Sequence, residues 1–390
     1  MRVGLFLGSG PESGGIFQYG LAIFRAVESL KGHGVQCVVA YADPSWANIL
    51  RRSGIASFEL KRNWWRPLLK AWLRFRVPLS PLRAALWVLH PGLRQMVQQD
   101  CALWIFPGND ALPYALPVNF LAAVHDLMHR YERHFPEVSS KGRYVFRESH
   151  YKALTRAATG VLVDSNVGKR HVCESYAIEP DRVHVLPYLA PDYIYSAAAA
   201  PRKRSPYSLP GKYFFYPAQF WQHKNHLTLI RALAQARESC PDMALVLAGA
   251  KKNGYDDVAR EVERLGLQDA VLFLGYVLDA DIPPLYQGAR ALVMPTCFGP
   301  TNIPPLEALV LGCPVAVSNI YGMPEQLGDA ALLFDPMSTD GLAQTMVRLW
   351  TDDELCAVLI EKGRQHVRRW DTAQFNARFR HILWSALEHT

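Results

Sequence analysis

No apolar stretch in the 390 residues reaches the ~18 needed to cross a bilayer as a helix. The hydrophobic opening over residues 1–7 breaks at Gly8-Ser9-Gly10-Pro11-Glu12, too short for the core of an export signal. These two absences point to a cytoplasmic protein. Cysteine is present but unpaired by pattern: Cys37, Cys101, Cys173, Cys240, Cys297, Cys313 and Cys356 are scattered, odd in number and never spaced as CxxC. That argues for reduced, mostly buried thiols and against a disulfide framework or a zinc ribbon. There is no GxSxG elbow for a serine hydrolase and no GxxxxGK[ST] phosphate loop. Low-complexity tracts and short solenoid repeats are also missing.

Acidic residues are nearly absent from one segment. Residues 51–98 carry ten Arg or Lys against a single acid, Glu59, whereas the whole chain has a net charge of only +7. The same segment holds Trp64, Trp65, Trp72, Trp87 and Phe75. Basic side chains interleaved with tryptophan and leucine suit a peripheral contact with anionic lipid on the inner membrane face. Two other readings of the same composition are a nucleic-acid patch and a helical hairpin whose tryptophans are core. The membrane reading is preferred, and no nucleic-acid partner is expected.

With 50% hydrophobic and 20% charged residues the chain reads as globular throughout, and its length suits two domains. Short apolar runs alternate with amphipathic stretches, the pattern of strand-helix units around parallel sheets. The expected strands of the first half are 3–7, 35–41, 56–60, 102–106, 121–125, 161–164 and 183–186. Those of the second half are 213–216, 244–248, 271–274, 291–294, 315–317 and 331–334. Residues 195–206, with two prolines and no periodicity, read as a linker. The expected division is a first domain over 1–195, a linker over 196–210, a second domain over 211–370 and a final helix over 371–390. The fold class is therefore α/β: two Rossmann-like, doubly wound domains facing a cleft between their strand C-terminal ends.

Three loops at such strand ends carry candidate chemistry. The run Phe298-Gly299-Pro300-Thr301-Asn302-Ile303-Pro304-Pro305-Leu306-Glu307 joins a strand to a helix starting near Pro304. Prolines in a first helical turn remove no needed donor, and the N–H groups ahead of them can hold an anion, with Glu307 one turn inside to take a sugar hydroxyl. In the loop after strand 213–216, Lys224 could neutralise a diphosphate, with Asn225 capping the next helix. After the first strand, the glycines at 8, 10, 14 and 15 allow close backbone approach to a bulky ligand. His125-Asp126-Leu127-Met128-His129 completes the set. Two histidines four apart can share a metal on a helix, yet no third ligand stands out, so no metal site is expected. The better reading is His125 donating to a sugar hydroxyl, with Asp126 orienting it or capping the following helix.

Taken in order, the glycine loop, His125-Asp126, Asp164-Ser165-Asn166, Arg182-Val183-His184-Val185-Leu186-Pro187, His223-Lys224-Asn225 and Gly299 to Glu307 resemble a retaining glycosyltransferase of the GT-B fold, family GT4 (glycosyltransferase group 1). The resemblance covers almost the whole chain. It implies an acceptor-side domain over 1–195, a nucleotide-sugar donor held mainly by the domain over 211–370, a helix over 371–390 crossing back to the first domain, no cofactor and no catalytic metal, with the helix dipole and a lysine acting on the leaving diphosphate. It further implies that His125, Lys224 and Glu307 are the candidate catalytic residues. Glu307 matches the ribose-binding Glu, Lys224 the diphosphate-binding Lys and His125 the His near the donor sugar. Gly14 and Gly15 match the loop that meets diphosphate and acceptor, and Thr301, Asn302 and Ile303 the turn whose amides meet diphosphate or sugar. Two positions depart from the family pattern: Gly299 stands where a sugar-binding Glu is frequent, and Gln219 where an Arg is usual. Asn302 or Glu325 is expected to take over part of the sugar contact, and Gln219, Asn225 and Gly299 complete the donor-binding set.

The resemblance implies transfer of a hexose, with retention, from a nucleotide-diphosphate sugar to a surface-polysaccharide or lipid-linked glycan acceptor. GDP-mannose is the first choice of donor, with dTDP-rhamnose, UDP-glucose and UDP-N-acetylglucosamine close behind. The alternatives are a sugar-nucleotide epimerase or phosphorylase on the same fold, and a non-catalytic partner subunit.

Overall fold

A computed structural model describes residues 1–60 and 90–388. The basic, tryptophan-rich segment assigned to the membrane falls largely on 61–89, outside the described residues. The described chain forms two compact units, one of residues 1–187 with 372–390, the other of residues 188–371.

The first unit is built on seven parallel strands: β1 Arg2–Leu7, β2 Gln36–Tyr41, β3 Ala56–Glu59, β4 Leu103–Phe106, β5 Phe120–Ala123, β6 Gly160–Val163 and β7 Val183–Val185. They lie in the order β3-β2-β1-β4-β5-β6-β7. Strands β4, β5 and β6 are buried at every position. A parallel strand covered by helices on both faces must be apolar on both, which is why these segments read as unbroken hydrophobic runs. The Gly15–Ser29 helix covers this sheet, and the Thr372–Glu388 helix packs against it. Arg380, midway along that terminal helix, donates to His33 at 2.8 Å.

The second unit has six parallel strands: β8 Phe214–Pro217, β9 Leu245–Ala248, β10 Val271–Gly275, β11 Ala291–Met294, β12 Val315–Ser318 and β13 Leu332–Phe334. Their order is β10-β9-β8-β11-β12-β13. Its core is one contiguous cluster in which Phe214, Phe215, Leu245, Leu292 and Val315 of the sheet pack with Leu229, Leu233 and other residues of the flanking helices. Every expected strand is found within two residues of its expected ends. The largest offset matters: β5 stops at Ala123, so His125 lies in the loop beyond the strand and not on its last position.

One stretch differs. Residues 195–206 were expected as linker, but Asp192–Ala199 is a helix packed within the second unit against Ile282–Gly288 and Ile303–Val310. Pro191 sets the entry in extended geometry, Asp192 occupies the first turn, and the alanines that lack any periodicity are strong helix formers.

In each sheet the chain reverses its winding direction between two neighbouring strands, β1 and β4 in the first and β8 and β11 in the second. The loops leaving such a pair diverge to opposite faces and open a crevice at the strand ends.

Candidate functional site

In the second unit the crevice lies between the loop after β8 and the loop after β11. Gly249 lets the first loop settle there. Its φ of 151° and the position of an ideal Cβ, 2.2 Å from the Ala218 carbonyl oxygen, leave no room for a side chain. The two loops are tied to each other. The carbonyl of His223 accepts from the amide of Cys297 at 2.7 Å, and the His223 ring stacks on Phe298 with centroids 3.7 Å apart.

Lys224 ends the short turn Gln222–Lys224, and its carbonyl accepts from the hydroxyl of Tyr216 at 3.0 Å. Its ammonium donates to Asn302 Oδ1 at 3.3 Å, so residues 78 positions apart in sequence meet across the crevice. Asn302 is the residue ahead of the Ile303–Val310 helix, whose opening carries Pro304 and Pro305. Neither proline has an N–H, and Ile303, as first residue, has no carbonyl within the helix to bond. A lysine and a helix start therefore face one place, a combination that attracts an anion.

One of the three expected amides, that of Asn302, is already engaged. Asn302 N–H donates to Gln326 Oε1 at 3.1 Å, and Gln326 Nε2 returns a bond to the Asn302 carbonyl at 2.8 Å. Gln326, next to the exposed Glu325 on the Met323–Leu327 helix, thus clamps the turn that holds the site. Thr301 and Asn302 are both buried, and the Asn302 amide also contacts Met323 Sδ at 3.5 Å.

Glu307 sits one turn inside and is buried at 8% exposure. Tyr286 donates to its Oε2 at 2.8 Å and Tyr193 to its Oε1 at 3.3 Å. Burial pushes the carboxyl up to about 7, against the two tyrosine hydrogen bonds, which lower it; the nearby Asp279 raises it further. Sequence reasoning missed both tyrosines, since neither lies near Glu307 in the chain.

One expectation in this unit is corrected, the capping role of Asn225, and the surroundings of Gln219 and Gly299 are defined. Asn225 stands at the start of the His226–Arg237 helix but in left-handed conformation, φ 58°, and its side chain caps no amide. It accepts from the Thr228 hydroxyl at 2.7 Å and donates to the Pro336 carbonyl at 2.9 Å, joining the loop after β13 to this one. Gln219 uses its Oε1 to accept from the Trp221 indole at 3.0 Å. Gly299 has φ 104°, and an ideal Cβ there would lie 3.1 Å from Asn302 Nδ2. The loop is thus shaped for glycine, and a glutamate could not enter this position without remodelling it.

In the first unit the loop after β1 forms a short turn at Pro11–Ser13 and then Gly14, φ 55° and ψ −119°, a conformation that only glycine adopts readily. Gly14 and Gly15 are exposed, and nothing lies within 4 Å of an ideal Cβ on Gly14, so the backbone there is open to a ligand. Between this loop and the one after β4 sits a buried acid that the sequence did not single out, Asp110. Ideal Cβ atoms on Gly8 and Gly108 would fall 2.5 Å and 2.9 Å from its carboxylate oxygens, so both glycines exist to admit it.

His125 directs Nε2 at the Pro107 carbonyl, 2.8 Å away, and its ring meets Tyr19 edge to face at 5.2 Å. A carbonyl only accepts, so Nε2 carries the proton. Burial lowers the pKa of the ring, opposed by the Pro107 bond and by Asp126, which keeps it neutral at physiological pH. Neutral with Nε2 protonated, the ring presents Nδ1 as an acceptor, the reverse of the donor role expected. Asp126 accepts from the amide of Met128 at 2.9 Å at the start of the Met128–Tyr131 helix and pairs with Arg147. Burial would raise its pKa, but the Arg147 guanidinium and the amide hold it below the usual range. His129 does not pair with His125. It is fully buried, stacks on Tyr151 and meets Glu148 at 3.2 Å, and burial with Arg147 brings it down to about 4. Among the described residues no group of three or more His, Cys, Asp or Glu is placed to hold a metal ion, and no helix is long and apolar enough to cross a membrane.

Residues 201–366 match the family model for glycosyl transferases group 1. The O-antigen chain mannosyltransferase B of Escherichia coli is 30% identical over 312 residues, covering 77% of this chain and 79% of that protein. Mannosylfructose-phosphate synthase of Agrobacterium fabrum is 25% identical over 280 residues, or 66% of this chain and 61% of its own length. The crystal structure of Anabaena Alr3699/HepE in complex with UDP and glucose superposes with a TM-score of 0.70, covering 99% of this chain and all of that one. At 18% identity that likeness shows the fold.

Proposed function

The chain belongs to the glycosyl transferases group 1 family and is a glycosyltransferase of the GT-B type, and from that premise we propose that it moves a hexose from a nucleotide-diphosphate sugar to a surface-polysaccharide or lipid-linked glycan acceptor. GDP-mannose is the first choice of donor, a choice supported by the mannosyltransferase named among the relatives. The observation that carries the reading is the meeting of Lys224 with Asn302 at the mouth of the Ile303–Val310 helix, with Glu307 one turn within. There the diphosphate would find a cation, a free helix start and no competing acid on the same turn, while the ribose hydroxyls would donate to Glu307.

Each residue has a task in that scheme. Lys224 and the amide of Ile303 hold the charge that grows on the leaving diphosphate, which is where preorganised donors accelerate a transfer most. Glu307 binds the remote nucleoside, so its interaction energy supports positioning. His125, neutral and fixed by Pro107, offers Nδ1 to a sugar hydroxyl on the acceptor-side unit. Gly14 and Gly15 leave backbone open to the substrates. No side chain is assigned as an enzymic nucleophile, and the transfer is assigned retention by front-side attack, the departing phosphate taking the acceptor's proton. The basic segment over 51–98 is assigned to an anionic membrane surface, where a lipid-borne acceptor would be met.

Thermal unfolding with GDP, UDP and dTDP tests the core of the proposal. A nucleotide at a hundred times its Kd stabilises the binding fold by about 2.7 kcal/mol. One of the three should raise the midpoint in the wild type and fail to do so in Lys224→Ala. A screen in which none of them shifts the midpoint, or in which Lys224→Ala responds like the wild type, removes the assignment of this site.

A further inference from the structure

Glu307 is reached from two directions. Tyr286, fully buried on the Ile282–Gly288 helix, donates to Oε2 from inside the unit. Tyr193, partly exposed on the Asp192–Ala199 helix, donates to Oε1, and its hydroxyl makes no other hydrogen bond among the described residues. Beside it opens a cavity of about 300 Å³ whose walls include Tyr193, Ser196, Ala197, Asp279, Pro283 and Gln287. The carboxylate that should receive the nucleoside is thus covered, on its outer oxygen, by a side chain with space to move into.

We propose that Tyr193 is a positioning residue and gate for the donor nucleotide: its hydroxyl holds Glu307 Oε1 while the site is empty, and an entering ribose hydroxyl takes over that oxygen as the phenol turns into the cavity. The inference rests on the reading of Glu307 as the ribose ligand. Above pH 7, where Glu307 is ionised, the carboxylate only accepts hydrogen bonds, so a leaving phenol must be replaced by another donor, and a ribose hydroxyl is a donor of the same kind. The two tyrosine bonds are unequal. At 3.3 Å the Tyr193 contact is beyond the usual range for O–H···O and yields first, whereas the 2.8 Å bond from Tyr286 lies within it and stays. Burial, Glu307 and Asp279 push the Tyr193 pKa well above the usual tyrosine range, so the gate remains a neutral donor and never a repelling phenolate.

Titration calorimetry with GDP and UDP on the full chain separates the gate from a plain structural contact. Tyr193→Phe leaves the ring and deletes the competing donor, so the nucleotide that binds should bind about three- to tenfold tighter, with KM lowered and kcat unchanged. Tyr286→Phe deletes a bond that persists in the complex and should bind more weakly. The gain in Tyr193→Phe should vanish with the 2′,3′-dideoxy nucleoside diphosphate, which has no hydroxyl to claim Oε1. Equal or weaker binding by Tyr193→Phe overturns the gate, as does a gain that survives with the dideoxy analogue. The dideoxy comparison on wild-type protein needs no variant: if it binds as tightly as the ribose form, no hydroxyl displaces Tyr193 and the gate is gone. Glu307→Gln keeps the two failures apart, since undiminished binding there removes the ribose ligand itself, while lost binding there with Tyr193→Phe unchanged removes the gate alone.

Discussion

Replacing Glu307 by glutamine should make the protein more stable at pH 8 and less active. In the folded chain this carboxyl titrates at about 7, against 4.5 for an ordinary glutamate. A raised folded-state pKa means that the fold favours the protonated form. Its contribution is therefore complete below about pH 4.5 and is lost as pH climbs to about 7. At 1.36 kcal/mol per pKa unit the loss approaches about 3 kcal/mol by pH 8. Glutamine is neutral at every pH, retains one acceptor for Tyr286 and fits the same space, so it escapes that loss. For a unit of this size the difference corresponds to a thermal midpoint on the order of 5–10 °C higher than wild type at pH 8, and to little or no gain at pH 4.5. Acid effects elsewhere, such as the buried His129 held down to about 4, occur in both proteins and cancel in the comparison. In the same variant kcat/KM should fall by roughly 2–4 kcal/mol, because an amide cannot take two ribose hydroxyls as a carboxylate does. Scanning calorimetry of both proteins from pH 4.5 to 8 decides the matter. A wild-type-minus-variant difference that stays flat across that range would refute the reasoning, and so would unchanged kinetics.

Two further outcomes follow from the loops and the basic segment. Gly299→Ala forces a side chain to φ 104° beside Asn302, a strain of about 1–3 kcal/mol, so the urea midpoint should drop and nucleotide-induced stabilisation should shrink with it; an unchanged midpoint would show that the loop is not set by its glycine. Pelleting with liposomes should need anionic lipid and weaken as salt is raised, given the surplus of nine positive charges over 51–98; equal pelleting with neutral vesicles contradicts the electrostatic assignment.

How much of this was legible beforehand depends on the range of the interaction. Strands such as Phe120–Ala123 and Val315–Ser318 are buried on both faces, so their apolar runs announce them locally. The loops between them could be ranked because a doubly wound sheet has one reversal point, and the strand order fixes which loops flank it. Lys224 and Asn302 were each visible as residue types suited to a strand end. Their contact was not, since it spans 78 positions. Tyr193 lies 114 positions from Glu307 and Gln326 lies 24 from Asn302, and nothing in local composition marks either as a partner. Asn225 was misread for a different reason. A residue type that caps helices in extended conformation was expected to cap here, but its φ of 58° turns the side chain toward Thr228 and Pro336.

The two departures from the family pattern bear on how the site must handle charge. Where an arginine is usual, Gln219 holds the indole of Trp221, and the ammonium of Lys252 lies 5.2 Å over the Trp221 ring. Its charge is engaged with an aromatic face, and for an exposed lysine that contact contributes only about 0.5–1 kcal/mol. It is therefore a poor substitute for a guanidinium placed directly on a phosphate. Where a sugar-binding glutamate is frequent, Gly299 adds no acid. In formal charge the two departures offset each other, one fewer cation being balanced by one fewer anion. What changes is its distribution, since a diphosphate there would depend on Lys224 and the helix start. On the proposed reading Lys224→Ala should therefore lower kcat more than Glu307→Gln does, and equal losses of kcat in the two variants would refute that division of roles.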